Sequence, residues 1–162
     1  MVGDAEIAAL AEFRYQIRRF LRFSEQAARD AGIEPQQHQL LLAAKAVVSQ
    51  ATPTVGELAE RLQIQHHSAV ELINRTVAKG LIRRARDGGD RRQVRVELTP
   101  RGERLLRDLS LHHREALSDA APALAQALYT LTSELKSGAR RARSRGVTAA
   151  RKKQTTRGRV RA

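Results

Sequence analysis

Apolar residues recur at three- and four-residue spacing through Ile7, Leu10, Phe13, Ile17 and Phe20, and the rhythm runs on to Ser24. One face of a helix repeats at that interval, so the spacing predicts a long amphipathic helix over 5–31. Arg14, Arg18, Arg19 and Arg22 fall largely between the apolar positions. Gly32 stops this helix, and Pro35 opens a second over about 35–50 that holds the block Leu40-Leu41-Leu42-Ala43-Ala44. Thr54 and Glu57 have the spacing of a capping box, in which hydroxyl and carboxylate each satisfy a free backbone N–H. A short helix with Leu58, Ala59 and Leu62 on one side follows. After a break at Gln63–Gln65, another helix spans 66–79 and closes at Gly80. Two helices joined by a tight turn have the outline of a helix-turn-helix.

The period then changes to two. Val94, Val96 and Leu98 alternate with Arg95 and Glu97, the mark of a half-exposed strand, and Leu81 to Arg86 can form its partner. Between them, Asp87-Gly88-Gly89-Asp90-Arg91-Arg92 is turn-forming, which predicts a β-hairpin tipped with arginine. Thr99-Pro100 supplies a cap hydroxyl and a proline where no N–H is needed, so a helix with Leu105, Leu106, Leu109 and Leu117 begins there. Asp119 to Pro122 opens a last helix with Leu124, Leu128, Leu131 and Leu135, ended by Gly138. The expected fold class is mainly α with a small β-hairpin wing: a winged helix-turn-helix flanked by long helices.

Charge divides the chain. It has 162 residues, 30 basic and 17 acidic, for a net +13. Ten of the cations lie in 137–162, which has no acid: Arg140, Arg141, Arg143, Arg145, Arg151, Lys152, Lys153, Arg157, Arg159 and Arg161. Only Val147 and Val160 there exceed alanine in apolar size. Such a stretch buries too little to offset its ordering entropy, so a disordered basic tail over 137–162 is expected behind a folded domain over 1–136. A second basic region, Arg61 to Val96, has nine basic and three acidic residues. Polycations of this kind match nucleic acid, because neutralising phosphates releases condensed counterions. The tail has no aromatic or leucine anchors for a lipid surface, so no membrane partner is expected.

No run of 18 apolar residues exists, and the acidic start Met1-Val2-Gly3-Asp4-Ala5-Glu6 is unlike a secretory signal. There is no cysteine, so disulfides and thiolate metal sites are excluded. A cytoplasmic, nucleoid-associated protein is the expectation. Gly-rich phosphate loops, HExxH and GxSxG are missing, so no enzyme and no cofactor is expected. His66-His67 point about 100° apart on a helix and read as nucleic-acid contacts rather than metal ligands. His112-His113, with His38, read as surface or packing residues, and the aromatics Phe13, Tyr15, Phe20 and Phe23 as packing.

With these elements in place, the sequence resembles the multiple-antibiotic-resistance regulator (MarR) family of winged-helix transcription factors. The resemblance rests on Asp90-Arg91-Arg92-Gln93-Val94-Arg95-Val96-Glu97-Leu98-Thr99-Pro100-Arg101-Gly102 and on Val55-Gly56-Glu57-Leu58-Ala59-Glu60-Arg61-Leu62. It rests also on Leu72-Ile73-Asn74-Arg75 through Lys79-Gly80-Leu81-Ile82. It covers about 5–136. It implies a homodimer joined through the first and last helices, acting on a pseudo-palindromic operator, in such families most often as a repressor that a small effector releases. It implies a recognition helix over 66–79 with His66, His67, Ser68 and Glu71 toward the bases and Arg75 toward phosphate. In the wing it implies Arg92 as the wing arginine, with Asp90 orienting the wing. Independently of the resemblance, the crowding of Arg83, Arg84, Arg86, Arg91 and Arg92 at one hairpin beside a helix-turn-helix points to phosphate contact. Gln65 and Thr76 depart from the family's usual cap and large aliphatic residue. The competing reading is a DNA-compacting architectural protein built on a winged-helix body.

Overall fold

A computed structural model describes residues 3–46, 52–86 and 94–158. Its elements are α1 (Asp4–Asp30), α2 (Pro35–Ala46), α3 (Val55–Leu62), α4 (His66–Ala78), β1 (Ile82–Arg86), β2 (Val94–Leu98) and α5 (Pro100–Gly158). The mainly helical fold with one β-hairpin is the winged helix-turn-helix expected from the patterning. The chain forms two compact units: Leu21–Leu117, and Met1–Phe20 together with Ser118–Ala162.

The unit Leu21–Leu117 holds the main core. Ala28 and Ile33, Leu40, Leu41 and Ala44 of α2, Leu58 of α3, Leu72 and Ile73 of α4, Leu81 and Ile82, Val96 of β2, and Leu106 and Leu109 of α5 form one buried cluster. The expected stops and starts are present. Gly32 and Gly80 take positive φ (77° and 68°) behind α1 and α4, a conformation cheap only for glycine. Thr54 accepts from the Glu57 N–H at 3.3 Å while the Glu57 carboxylate accepts from the Thr54 N–H at 2.7 Å. That second bond holds the Glu57 carboxyl below the usual carboxylate range. Thr99 accepts from the Gly102 N–H at 3.1 Å and donates to the Gly80 carbonyl at 2.7 Å, which caps α5 and ties it to the end of α4.

The hairpin is antiparallel, with Ile82 opposite Leu98 and Arg84 opposite Val96. The chain before α3 joins its far edge, through a Thr54–Arg95 bridge and a 2.9 Å bond from the Val96 N–H to the Pro53 carbonyl. No alternation announces this one-bridge strand. Val96 is buried but Val94 is 41% exposed, because it lies beyond the edge of the core.

The unit Met1–Phe20 with Ser118–Ala162 contains the first part of α1 and the larger part of α5. Ala9, Ala127 and Leu131 are buried, whereas Ile7, Leu10, Tyr15, Leu128, Tyr129 and Leu135 are exposed.

Two expectations are corrected here. In place of two helices meeting at Asp119–Pro122, α5 is one helix with Pro122 inside it. Proline removes one backbone donor, but Ala116, Leu117, Ala120, Ala121, Ala123 and Leu124 around it are strong helix formers. Nor does Gly138 end the helix, which runs on to Gly158 through a segment expected to be disordered. Alanine, arginine, lysine and glutamine favour helix without any apolar face, a preference that a burial argument misses. The second helix, expected to about residue 50, is α2 to Ala46; residues 47–51 lie outside the described set.

Inside the first unit three helices meet at a polar cluster. His38 of α2 is 2% exposed, and its ring centre lies 4.9 Å from that of His113 of α5. The His113 Nδ1 lies 2.6 Å from the Leu109 carbonyl, which can only accept, so Nδ1 carries the proton. Nε2 lies 2.8 Å from the buried Ser24 hydroxyl of α1. Phe23 meets the His113 ring edge-on at 5.6 Å. His112, the next residue, instead lines a cleft beside Asp108.

Burial first, and then the charge of His113, push the His38 pKa down to about 4 from 6.5. The unfolded chain therefore binds more protons between these values. Stability is complete above pH 6.5 and falls as the pH drops toward 4. The span corresponds to about 3 kcal/mol at most. Urea unfolding at pH 7.5 and pH 4.5 is expected to show this acid-linked loss in the native chain and a loss smaller by about that amount in His38→Leu. A second prediction concerns Gly102. A β-carbon there would overlap the Leu81 carbonyl oxygen and lie 2.9 Å from its carbon. Gly102→Ala should cost about 3 kcal/mol in urea or thermal unfolding, because backbone, not a flexible side chain, must yield.

Candidate nucleic-acid interface

The face that α4 shows to solvent follows from the face it buries. Ala69, Leu72, Ile73 and Thr76 are buried. Thr76 is fully enclosed and its hydroxyl donates to the Leu72 carbonyl at 2.7 Å, so a polar residue fills an aliphatic position without an unmet donor. The turn before α4 uses Gln63 at φ 54°, where the Ile64 N–H reaches the Ala59 carbonyl at 3.0 Å. Gln65 caps α4 without a side-chain bond. The N–H group in the first turn that a capping side chain would satisfy thus receives no acceptor from Gln65.

Around the exposed arc of α4 the residues sort by direction. His66, Val70 and Asn74, at four-residue spacing, border the hairpin. His66 and Val70 line a cleft of about 420 Å³ with Thr54, Val55, Gly56, Arg84 and Val94. Asn74 accepts a hydrogen bond at Oδ1 from Arg84 Nη2. His67 and Glu71 lie one position further round and are exposed. Ser68 is half-buried. Arg75 occupies the opposite flank, where its guanidinium meets Glu34 at 3.1 Å. Lys79 Nζ donates to the Gly32 carbonyl at 2.8 Å nearby. The later half of α4 is therefore tied to the corner between α1 and α2.

Of the five residues expected on the recognition helix, His66, His67 and Glu71 share the outward arc, while Ser68 and Arg75 sit at its margins. Asn74, which is not among the expected residues, lies on the same arc. Its signal was available: it follows His67 by seven residues, two helical turns, and so shares its face.

In the hairpin, register sets alternate sides. Arg83 pairs across the strands with Glu97 at 2.8 Å, and Arg84 points toward α4. Arg95 donates to the Thr52 carbonyl. Arg86 ends β1. Asp90, Arg91 and Arg92 lie outside the described residues. Of the tail cations, Arg140, Arg141, Arg143, Arg145, Arg151, Lys152, Lys153 and Arg157 fall on the α5 backbone; Arg159 and Arg161 lie outside the described set. No helix among the described residues is long and apolar enough to cross a membrane.

Comparison with known proteins bears on this arrangement. Residues 31–93 match the model of the MarR family. A segment of 66 residues, 41% of the chain, is 35% identical to the uncharacterized HTH-type transcriptional regulator YsmB of Bacillus subtilis (strain 168), and spans 45% of that relative's length. The fold is shared with AbsC, a MarR family transcriptional regulator from Streptomyces coelicolor, at a TM-score of 0.68 and 20% identity over 89% of this chain and 98% of that one. It is shared too with a mutant MarR from E. coli complexed with operator DNA, at a TM-score of 0.60 and 22% identity over 76% and 88%. The match runs through the helix-turn-helix and into the hairpin, and the fold is common to most of the chain. Residues 31–93 are thus similar to the MarR family, and the fold of most of the chain is the one seen in its solved members.

Proposed function

We propose that the protein is a DNA-binding transcription regulator, acting as a homodimeric repressor on a pseudo-palindromic operator. The observation that carries the reading is the outward arc of α4: His67, Glu71 and Asn74, all polar and exposed, beside an arginine-bearing hairpin. A helix of 13 residues fits the major groove, where base edges differ in donors and acceptors. The hairpin arginines then reach the adjoining backbone or minor groove, where arginine is favoured by the negative potential.

The homodimer draws support from Ile7, Leu10 and Tyr15 of α1 and Leu128, Tyr129 and Leu135 of α5, all exposed within their own unit. A second copy covering them would bury apolar area and set two reading helices on one duplex. A cleft of about 430 Å³ lined by Phe23, Ala27, Leu105, Leu109 and His112 is of a size suited to a small organic effector. Such a ligand releases DNA if it binds better to a dimer with wrongly spaced helices. An architectural, DNA-compacting role has no comparable feature in its favour.

The cations of 137–162 add affinity without sequence preference. Each neutralised phosphate contributes roughly 0.9 to the slope of log K against log salt. Binding to duplex DNA from the flank of the protein's own gene, titrated across salt concentrations, tests the reading. Removal of 137–162 is expected to flatten the slope by several units while the preference for that DNA over unrelated duplex survives. Loss of preference with an unchanged slope would contradict it.

A further inference from the structure

We propose that Glu71 and Asn74 together read one guanine–cytosine pair in each half-site, with Arg84 setting which way the Asn74 amide faces. This rests on the reading of α4 as the helix in the major groove.

Asparagine carries an acceptor, Oδ1, and a donor, Nδ2. Left to itself it matches adenine, accepting from N6 and donating to N7. In this protein the amide is not left to itself. A guanidinium has donors only, so the Arg84 Nη2 contact must fall on Oδ1, as it does. The acceptor is thereby turned toward the hairpin, and Nδ2 is the group that faces outward. A donor in that place finds two acceptors on guanine, N7 and O6, whereas adenine offers N7 alone and sets its N6 donor against it where guanine has O6.

Glu71 lies three residues before Asn74, one turn away on the same exposed arc, and its side chain forms no ion pair among the described residues. Side chains so spaced are neighbours, about 5–6 Å apart at their β-carbons. An ionised carboxylate only accepts. It takes the N4 donor of cytosine and is repelled by the O4 acceptor of thymine. Across its major-groove edge a guanine–cytosine pair offers acceptors and then a donor. The two side chains present the complement, a donor from Asn74 and an acceptor from Glu71. An adenine–thymine pair leaves the Asn74 donor one acceptor in place of two and sets the thymine O4 acceptor against Glu71.

The Arg84 contact also gives the proposal a signature that a merely structural role lacks. Removing Arg84 frees the amide to rotate, and a free amide prefers adenine. The base preferred at one position should therefore change, rather than affinity falling for every duplex alike.

The test uses the full chain. Bound duplexes are selected from a randomised pool, and single-base-pair variants of the winner are then compared by competition. The native protein is expected to require guanine–cytosine at one position per half-site. Asn74→Ala should cut discrimination against adenine–thymine at that position by roughly ten- to a hundredfold and leave the other positions unchanged. Arg84→Ala should shift the same position toward adenine. Glu71→Gln should relax the demand for cytosine there. All three side chains are exposed, and matched thermal unfolding curves serve as the check on folding. The proposal is overturned if Asn74→Ala changes no single position, or if Arg84→Ala weakens all duplexes equally without moving the preference. Failure of the native chain to bind any duplex at low salt is a different result: it overturns the DNA-binding reading itself.

Discussion

Burial of Ala69, Leu72, Ile73 and Thr76 fixes the rotation of α4 about its own axis, and everything that helix shows to solvent follows from it. A rotation by one residue, about 100°, would take His67 from the outward arc to its margin and expose part of the apolar face. The cost of exposing a leucine or isoleucine is about 1.5–3 kcal/mol each, far above what any single exposed polar contact returns. The core therefore decides which residues can be read by a partner. The polar contacts at either side only trim the orientation: Arg75 with Glu34 and Lys79 with the Gly32 carbonyl on one flank, Arg84 with Asn74 on the other.

The same core also fixes the hairpin. Ile82 and Val96 anchor its base among the buried residues, the Thr54–Arg95 bridge holds its far edge, and Thr99 with Gly102 locks its exit against the carbonyls of Gly80 and Leu81. Arg84 is therefore presented to α4 from a rigid base rather than from the loop. Its partner on α4 is set by register: Arg83 takes the opposite side and is satisfied by Glu97.

Much of this was legible in the residues. Caps and stops carry local chemistry, so Thr54–Glu57, Gly32, Gly80 and Thr99–Pro100 placed element ends to within a residue or two. Period placed α4 and β2. What failed was of another kind. Pro122 and Gly138 are signals with a known cost, yet α5 passes both, because a run of alanine, leucine and arginine outweighs them. Residue type singles out His66 and His67 on this helix, whereas Asn74 is distinguished only by its position on the helical wheel, seven residues after His67. The pairing of Arg75 with Glu34 and the His38–His113 contact join residues far apart in sequence, and nothing in local spacing encodes them.

Glu71 poses the remaining question, since an acid beside a polyanion opposes binding. Under the proposed function the opposition has a use. Non-specific affinity comes from cations meeting phosphates, and this chain has 13 more basic than acidic residues. With attraction so abundant, discrimination rather than affinity is the scarce quantity. A protein that held every duplex equally well would be lost on the excess of wrong sites. A carboxylate on the reading face is repelled by phosphate everywhere and is compensated only where a donor base edge meets it. It lowers affinity for all sequences and restores it for a few, which widens the gap between right and wrong sites. Because Asn74 is turned by Arg84 to present a donor, the neighbouring acceptor and donor are complementary to one kind of base pair rather than redundant. The basic segments and the acidic residue thus act on different quantities, total affinity and its dependence on sequence, and need not compete.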